Sequence, residues 1–116
     1  MSTNPIQIPN AFEISTAKGT RFIYLKMLVF IKAENKATLI FLNDSECIKT
    51  SHYLKWYLKY TLEPDFFRCH NSYIVNCRFI KTFCSKGIIL RGFNHIIPLS
   101  RKKRHSFKEN LMMLQV

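Results

Sequence analysis

Apolar residues in this sequence come in strand-sized runs, and turn-forming residues cut the runs apart at Lys18-Gly19, Glu34-Asn35-Lys36, Asn43-Asp44, Lys86-Gly87 and Arg91–Asn94. A helical protein needs apolar positions repeating every three to four residues over longer stretches. Here Phe12–Thr16 alternates apolar and polar side chains, as a half-buried strand does. Phe22–Leu25, Leu28–Ala33, Thr38–Leu42 and Glu46–Lys49 continue the β pattern. Strand character returns at Phe66-Phe67, Tyr73–Val75, Arg78–Phe83, Ile88–Leu90 and His95–Leu99, where Pro98 suits a strand end.

The period changes twice. In Thr50–Pro64, Leu54, Tyr57, Leu58 and Thr61 recur at three- and four-residue spacing, with Lys55 and Lys59 on the other side. That pattern predicts an amphipathic helix, capped by Ser51 or Thr50 and ended by Pro64. Phe107, Leu111 and Leu114 predict a C-terminal helix that packs back on the sheet, with Ser100 as its cap. The expected fold is mainly β, with one middle helix and one C-terminal helix. A chain of 116 residues suits a single domain. Residues 1–10 read as an N-terminal extension and 11–116 as the domain.

Charge narrows the partner. Eighteen Lys and Arg face seven Asp and Glu, a formal net charge of +11. Up to residue 48 the signs nearly balance; beyond it thirteen basic residues face only Glu63, Asp65 and Glu109. Such a field attracts polyanions, nucleic acid before anionic membrane. No apolar run approaches the ~20 residues that cross a bilayer, and the start MSTNPIQIPN lacks the basic and apolar regions of a signal peptide. A cytoplasmic protein without a membrane role is expected.

Catalytic and metal chemistry find little footing. The acids are scattered rather than paired. Cys69 adjoins His70, but neighbours on a strand point to opposite faces. Cys47, Cys69, Cys77 and Cys84 form no C-x-x-C pair and match no zinc spacing, so free thiols, no metal, no cofactor and no enzyme activity are expected.

Two segments carry the remaining chemistry. FFRCHNSYIVN (66–76) sets Arg68, His70, Asn71 and Ser72 between two apolar segments, either to satisfy a turn or to face a polar partner. PLSRKKRH (98–105) puts Arg101, Lys102, Lys103 and Arg104 in the first turn of the last helix. Cations there oppose the positive end of the helix dipole. Both a solvated basic end and a site relieved by an arriving anion fit that arrangement.

FFRCHNSYIVNCRFI resembles the signature of the LytTR-type DNA-binding domain, IIPLSRKK its closing strand and Ser-Arg motif, and FEISTAKGTRFIYLKMLVFIKAE its opening strands. The resemblance runs over about residues 11–114. It implies small antiparallel β-sheets and a head that reads duplex DNA through loop side chains, in a transcriptional regulator. On this resemblance His70, Asn71 and Arg101 contact bases. Asn71 suits adenine and Arg101 guanine, each through paired hydrogen bonds. Arg68, Ser72, Lys102 and Lys103 serve as phosphate contacts or scaffold, and the loop at Lys36–Thr38 contacts the backbone. The family motif Glu-Ala is replaced by Lys32-Ala33, and Ala37 stands where an aromatic is usual. Members usually follow a receiver domain or a membrane segment; a stand-alone domain is expected here. Its partners would be promoter repeats in double-stranded DNA, a second copy on that DNA, and a regulatory protein. The alternative is an RNA or single-strand binding module, since aromatic residues make up 14% of the chain and can stack bases.

Overall fold

The computed structural model describes residues 10–62 and 64–114. Positions 1–9 of the expected extension, and 115–116, lie outside them. The chain forms β1 (Ala11–Thr16), β2 (Gly19–Tyr24), β3 (Leu28–Glu34), β4 (Ala37–Leu42), β5 (Cys47–Thr50), β6 (Phe66–His70), β7 (Tyr73–Asn76), β8 (Ile80–Cys84), β9 (Gly87–Leu90), β10 (Ile96–Ile97) and α1 (Arg104–Leu114). Short 3-10 segments cover Leu25–Met27, Leu54–Tyr60, Cys77–Phe79 and Arg101–Lys103. The fold is mainly β: three antiparallel sheets, ordered β1-β2, β10-β9-β8 and β5-β4-β3-β7-β6.

The five-stranded sheet lies between two apolar layers. On one face Ile31, Ile40, Leu42 and Ile74 meet Phe12, Ile14 and Ile23 from β1 and β2, with Leu54 and Tyr57. On the other, Phe30, Val75 and Cys69 meet Ile88, Leu90, Ile97, Leu99 and the α1 residue Phe107. Burial on both faces is why Leu28-Val29-Phe30-Ile31 is a continuous apolar run rather than an alternating one. A register shift between Leu28 and Phe30 puts Val29 and Phe30 in the same layer. Asn76 closes β7 from within: its side-chain nitrogen donates to the Leu28 carbonyl (2.8 Å), and its oxygen accepts from Arg78 N (3.0 Å).

The middle helix departs from its expected geometry. Leu54–Tyr60 winds as a 3-10 helix, with three residues per turn. This period stacks Leu54, Tyr57 and Tyr60 along one stripe, and the Tyr57 and Tyr60 rings lie 5.7 and 4.8 Å from Phe12. The cap expected from Ser51 or Thr50 is absent. Tyr53 occupies that position without a side-chain bond. Thr50 belongs to β5, and its hydroxyl meets the Tyr57 hydroxyl at 2.5 Å. At the C-terminal helix Ser100 holds the cap position, again without a side-chain bond. Arg101–Lys103 form a 3-10 turn before α1, whose Phe107 is fully buried while Leu111 and Leu114 pack against the same core.

Candidate nucleic-acid interface

Antiparallel pairing gathers particular turns at one end of the five-stranded sheet. Lys32 pairs with Tyr73, and the Ala33 amide donates to the Ser72 carbonyl at 2.8 Å. The β3–β4 turn (Asn35-Lys36) and the β6–β7 turn (Asn71-Ser72) therefore share an edge, here termed the rim. The exit of β5 joins them, because Thr50 pairs with Thr38. Strands stand ~4.8 Å apart, so the rim from β4 to β6 spans about 14 Å. A B-form major groove is about 12 Å wide.

Asn35 and Lys36 have φ of +44° and +34°. Positive φ at both central residues is the hairpin geometry whose twist matches the strands it joins. It leaves Lys36 exposed. Thr38, by contrast, has 0% exposure; its hydroxyl donates to the His52 carbonyl at 2.6 Å. Alternation along β4 turns the Thr38 side chain, which was expected at the DNA backbone, inward, where it anchors the exit of β5.

The β6–β7 turn is held from several sides. The Arg68 guanidinium donates to the Asn71 carbonyl (3.0 Å), and the Ser72 amide donates to His70 Nδ1 (3.1 Å). With Nδ1 accepting, the proton of the neutral ring is on Nε2, which is left as a donor. Asn71 is exposed, while Arg68, His70 and Ser72 are half-buried. Backbone groups and Arg68 build the turn, and the Asn71 carboxamide is presented outward.

Ser100 and Lys103 bring the second motif alongside. The Ser100 amide donates to the Cys69 carbonyl, and Lys103 Nζ to the Arg68 carbonyl, both at 2.8 Å. Burial first, and then the Arg68 charge, hold the Lys103 ammonium below the usual lysine pKa. Arg101 and Lys102 remain exposed. Among the expected contacts, Arg68 and Lys103 are tied into the scaffold, while Lys36, Asn71, Arg101 and Lys102 project from it. Cys69 faces the core under this junction, where burial pushes its thiol up to about 12. Cys77 is likewise pushed up to about 11 by burial. Both stay protonated at neutral pH and pack as small apolar groups.

Topology also separates charge. The far end of the sheet holds the β4–β5 turn with Asp44 and Glu46, and the entry to β6 with Asp65. Two cations there are paired, Arg21 with Glu46 and Arg78 with Asp65 at 2.9 Å, while Lys26 is exposed. At the rim the acid is Glu34, 3.6 Å from Lys32. Lys49 also belongs to this edge, in an open groove of about 590 Å³ that it lines with Glu34, Lys36, Ala37, Leu39 and Thr50. Its part escaped sequence reasoning; the signal is the β4–β5 register, which sets Lys49 opposite Leu39.

A fold of small antiparallel sheets with a polar, cationic rim built from hairpin turns defines a class of β-rich nucleic-acid-binding domain. The family model for the LytTr DNA-binding domain matches residues 18–112, and the chain belongs to that family. A solved LytTr DNA-binding domain from Bacillus cereus superposes with a TM-score of 0.71 at 20% identity, covering 88% of this chain and 96% of that one. No curated protein matches the sequence. Among the described residues no helix is long and apolar enough to cross a membrane.

Proposed function

We propose that the rim reads duplex DNA sequence-specifically and that the protein regulates transcription. Asn71 and Arg101 supply paired hydrogen bonds to base edges in the major groove, and His70 Nε2 donates to a base acceptor or a phosphate. Lys36, Ser72 and Lys102 hold phosphates and fix register. Arg68 and Lys103 keep the two motifs in their relative positions, with any phosphate contact secondary.

The observation that carries this reading is the junction of the motifs. Two 2.8 Å hydrogen bonds, from Ser100 N to the Cys69 carbonyl and from Lys103 Nζ to the Arg68 carbonyl, join them at one end of the five-stranded sheet. Promoter repeats engaging two copies, and control by a regulatory protein, fit a compact domain of this kind.

An RNA or single-strand module would need open aromatic faces. Tyr24 and Tyr53 are exposed, but Trp56 is stacked by His52 (3.9 Å) and lies under Lys59 Nζ (4.4 Å), and Tyr60 lies on Phe12. Duplex selection from a random pool, followed by competition with single strand and RNA of the selected sequence, tests the reading. A recovered consensus that single strand and RNA fail to displace is the expected result. Equal competition by single strand would overturn it.

A further inference from the structure

The tip of the β8–β9 hairpin, Ser85-Lys86, is absorbed neither by the two motifs nor by the core. Three contacts fix its position. The Arg104 guanidinium donates to the Ser85 carbonyl at 2.5 Å. The Phe83 ring meets Phe107 of α1 edge-on, with centroids 5.3 Å apart. Gly87 (φ +142°) lies so close to β10 that a Cβ there would stand 2.3 Å from the Ile97 carbonyl oxygen. Backbone cannot yield to such a contact, so glycine is required and the tip is clamped against β10.

Ile97 is the third residue before Ser100, whose amide is bonded to Cys69. The clamped tip therefore stands at the start of the last helix, beside the Arg101–Lys102 turn. Lys86 is exposed at its apex, and Lys108 is exposed one turn along α1 from Arg104. No acid lies in the first turn of this helix, and Glu109 is engaged with His105 in an i,i+4 pair.

We propose that this tip is a second phosphate-binding element: Lys86, backed by Arg104 and Lys108, grips the DNA backbone beyond the stretch contacted by Arg101 and the β6–β7 turn. The proposal rests on the duplex reading above and extends its footprint past the five-stranded sheet. A pre-positioned hairpin loses little backbone freedom on binding, which favours a defined contact over a diffuse cationic field. Such a contact carries no base information.

The test compares two substitutions that remove the same charge. Lys86→Gln acts at the tip; Lys26→Gln acts in the Leu25–Met27 segment, which leads into β3 at the far end of the sheet. Affinity for mixed-sequence duplex DNA is measured against salt concentration. K86Q should melt like wild type and reduce the slope of log affinity on log salt by about 0.9, the value of one lost phosphate contact. K26Q should leave that slope unchanged. Equal slopes for K86Q and wild type, or equal changes in K86Q and K26Q, would overturn the tip contact while leaving the duplex reading standing. A wild-type protein that ignores duplex DNA would overturn both.

Discussion

The backbone amide of Ser100 donates to the carbonyl of Cys69 at 2.8 Å, joining residues thirty-one positions apart in the chain. Cys69 lies between Arg68 and His70, and Ser100 precedes Arg101. Together with the bond from Lys103 Nζ to the Arg68 carbonyl, this hydrogen bond sets the distance between the β6–β7 turn and the basic turn of the last helix. The Ser100 bond needs only backbone atoms, so it engages neither the Arg101 side chain nor His70 Nε2.

Binding to duplex DNA should weaken steeply with salt. If about five phosphates are neutralised, log affinity should fall with log salt at a slope of about −4 to −5. Titrations across a range of salt concentrations measure this directly. A flat response would exclude a phosphate grip as the source of affinity.

Asn71→Ala and Arg101→Ala should each reduce the ratio of specific to random affinity. The expected loss is roughly 1–3 kcal/mol per paired base contact. Both side chains are exposed, so thermal melting should stay near that of wild type. An unchanged ratio in two well-folded variants would remove them from the reading head.

Lys102 and Lys103 are neighbours with different expected phenotypes. Lys102→Ala should weaken specific and random DNA about equally, since it removes an exposed cation. Lys103→Ala leaves the Arg68 carbonyl without its partner and should also lower stability, on the order of 1–3 kcal/mol. Melting curves beside the two affinities separate the pair. Equal melting temperatures for the two variants would mean that Lys103 does not hold the scaffold.

Acid should weaken the anchoring of β2 to the β4–β5 turn. The hydrogen bond from Arg21 lowers the Glu46 pKa in the folded protein. A carboxylate with a depressed folded pKa contributes stability above its unfolded pKa and loses it as pH falls through the folded one. Stability measured by denaturant titration should therefore drop over that acidic window in wild type. In Glu46→Gln the drop should be shallower, and identical acid limbs would show that the pair does not couple to folding.

Much of the architecture was legible in the residues themselves. Alternation and turn chemistry set the strands, because period-two patterning and Asn, Asp and Gly at turns act over a few residues. The two polar motifs were legible for the same reason: hydrogen-bonding side chains between apolar segments are conspicuous wherever the chain ends up. The middle helix was legible as a helix, but not as a 3-10 one. Its winding is set by the fit of Tyr57 and Tyr60 against Phe12, a partner more than forty positions away. Thr38 shows the same limit at the site. Lys36, two positions earlier, is exposed, while the Thr38 hydroxyl bonds the His52 carbonyl, a partner that only the pairing of β4 with β5 brings within reach. The gathering of Lys36, Lys49, Arg101 and Lys102 at one end of the sheet, with Asp44, Glu46 and Asp65 at the other, also belongs to tertiary structure. Local sequence specifies each turn, but antiparallel register alone decides which turns share an edge.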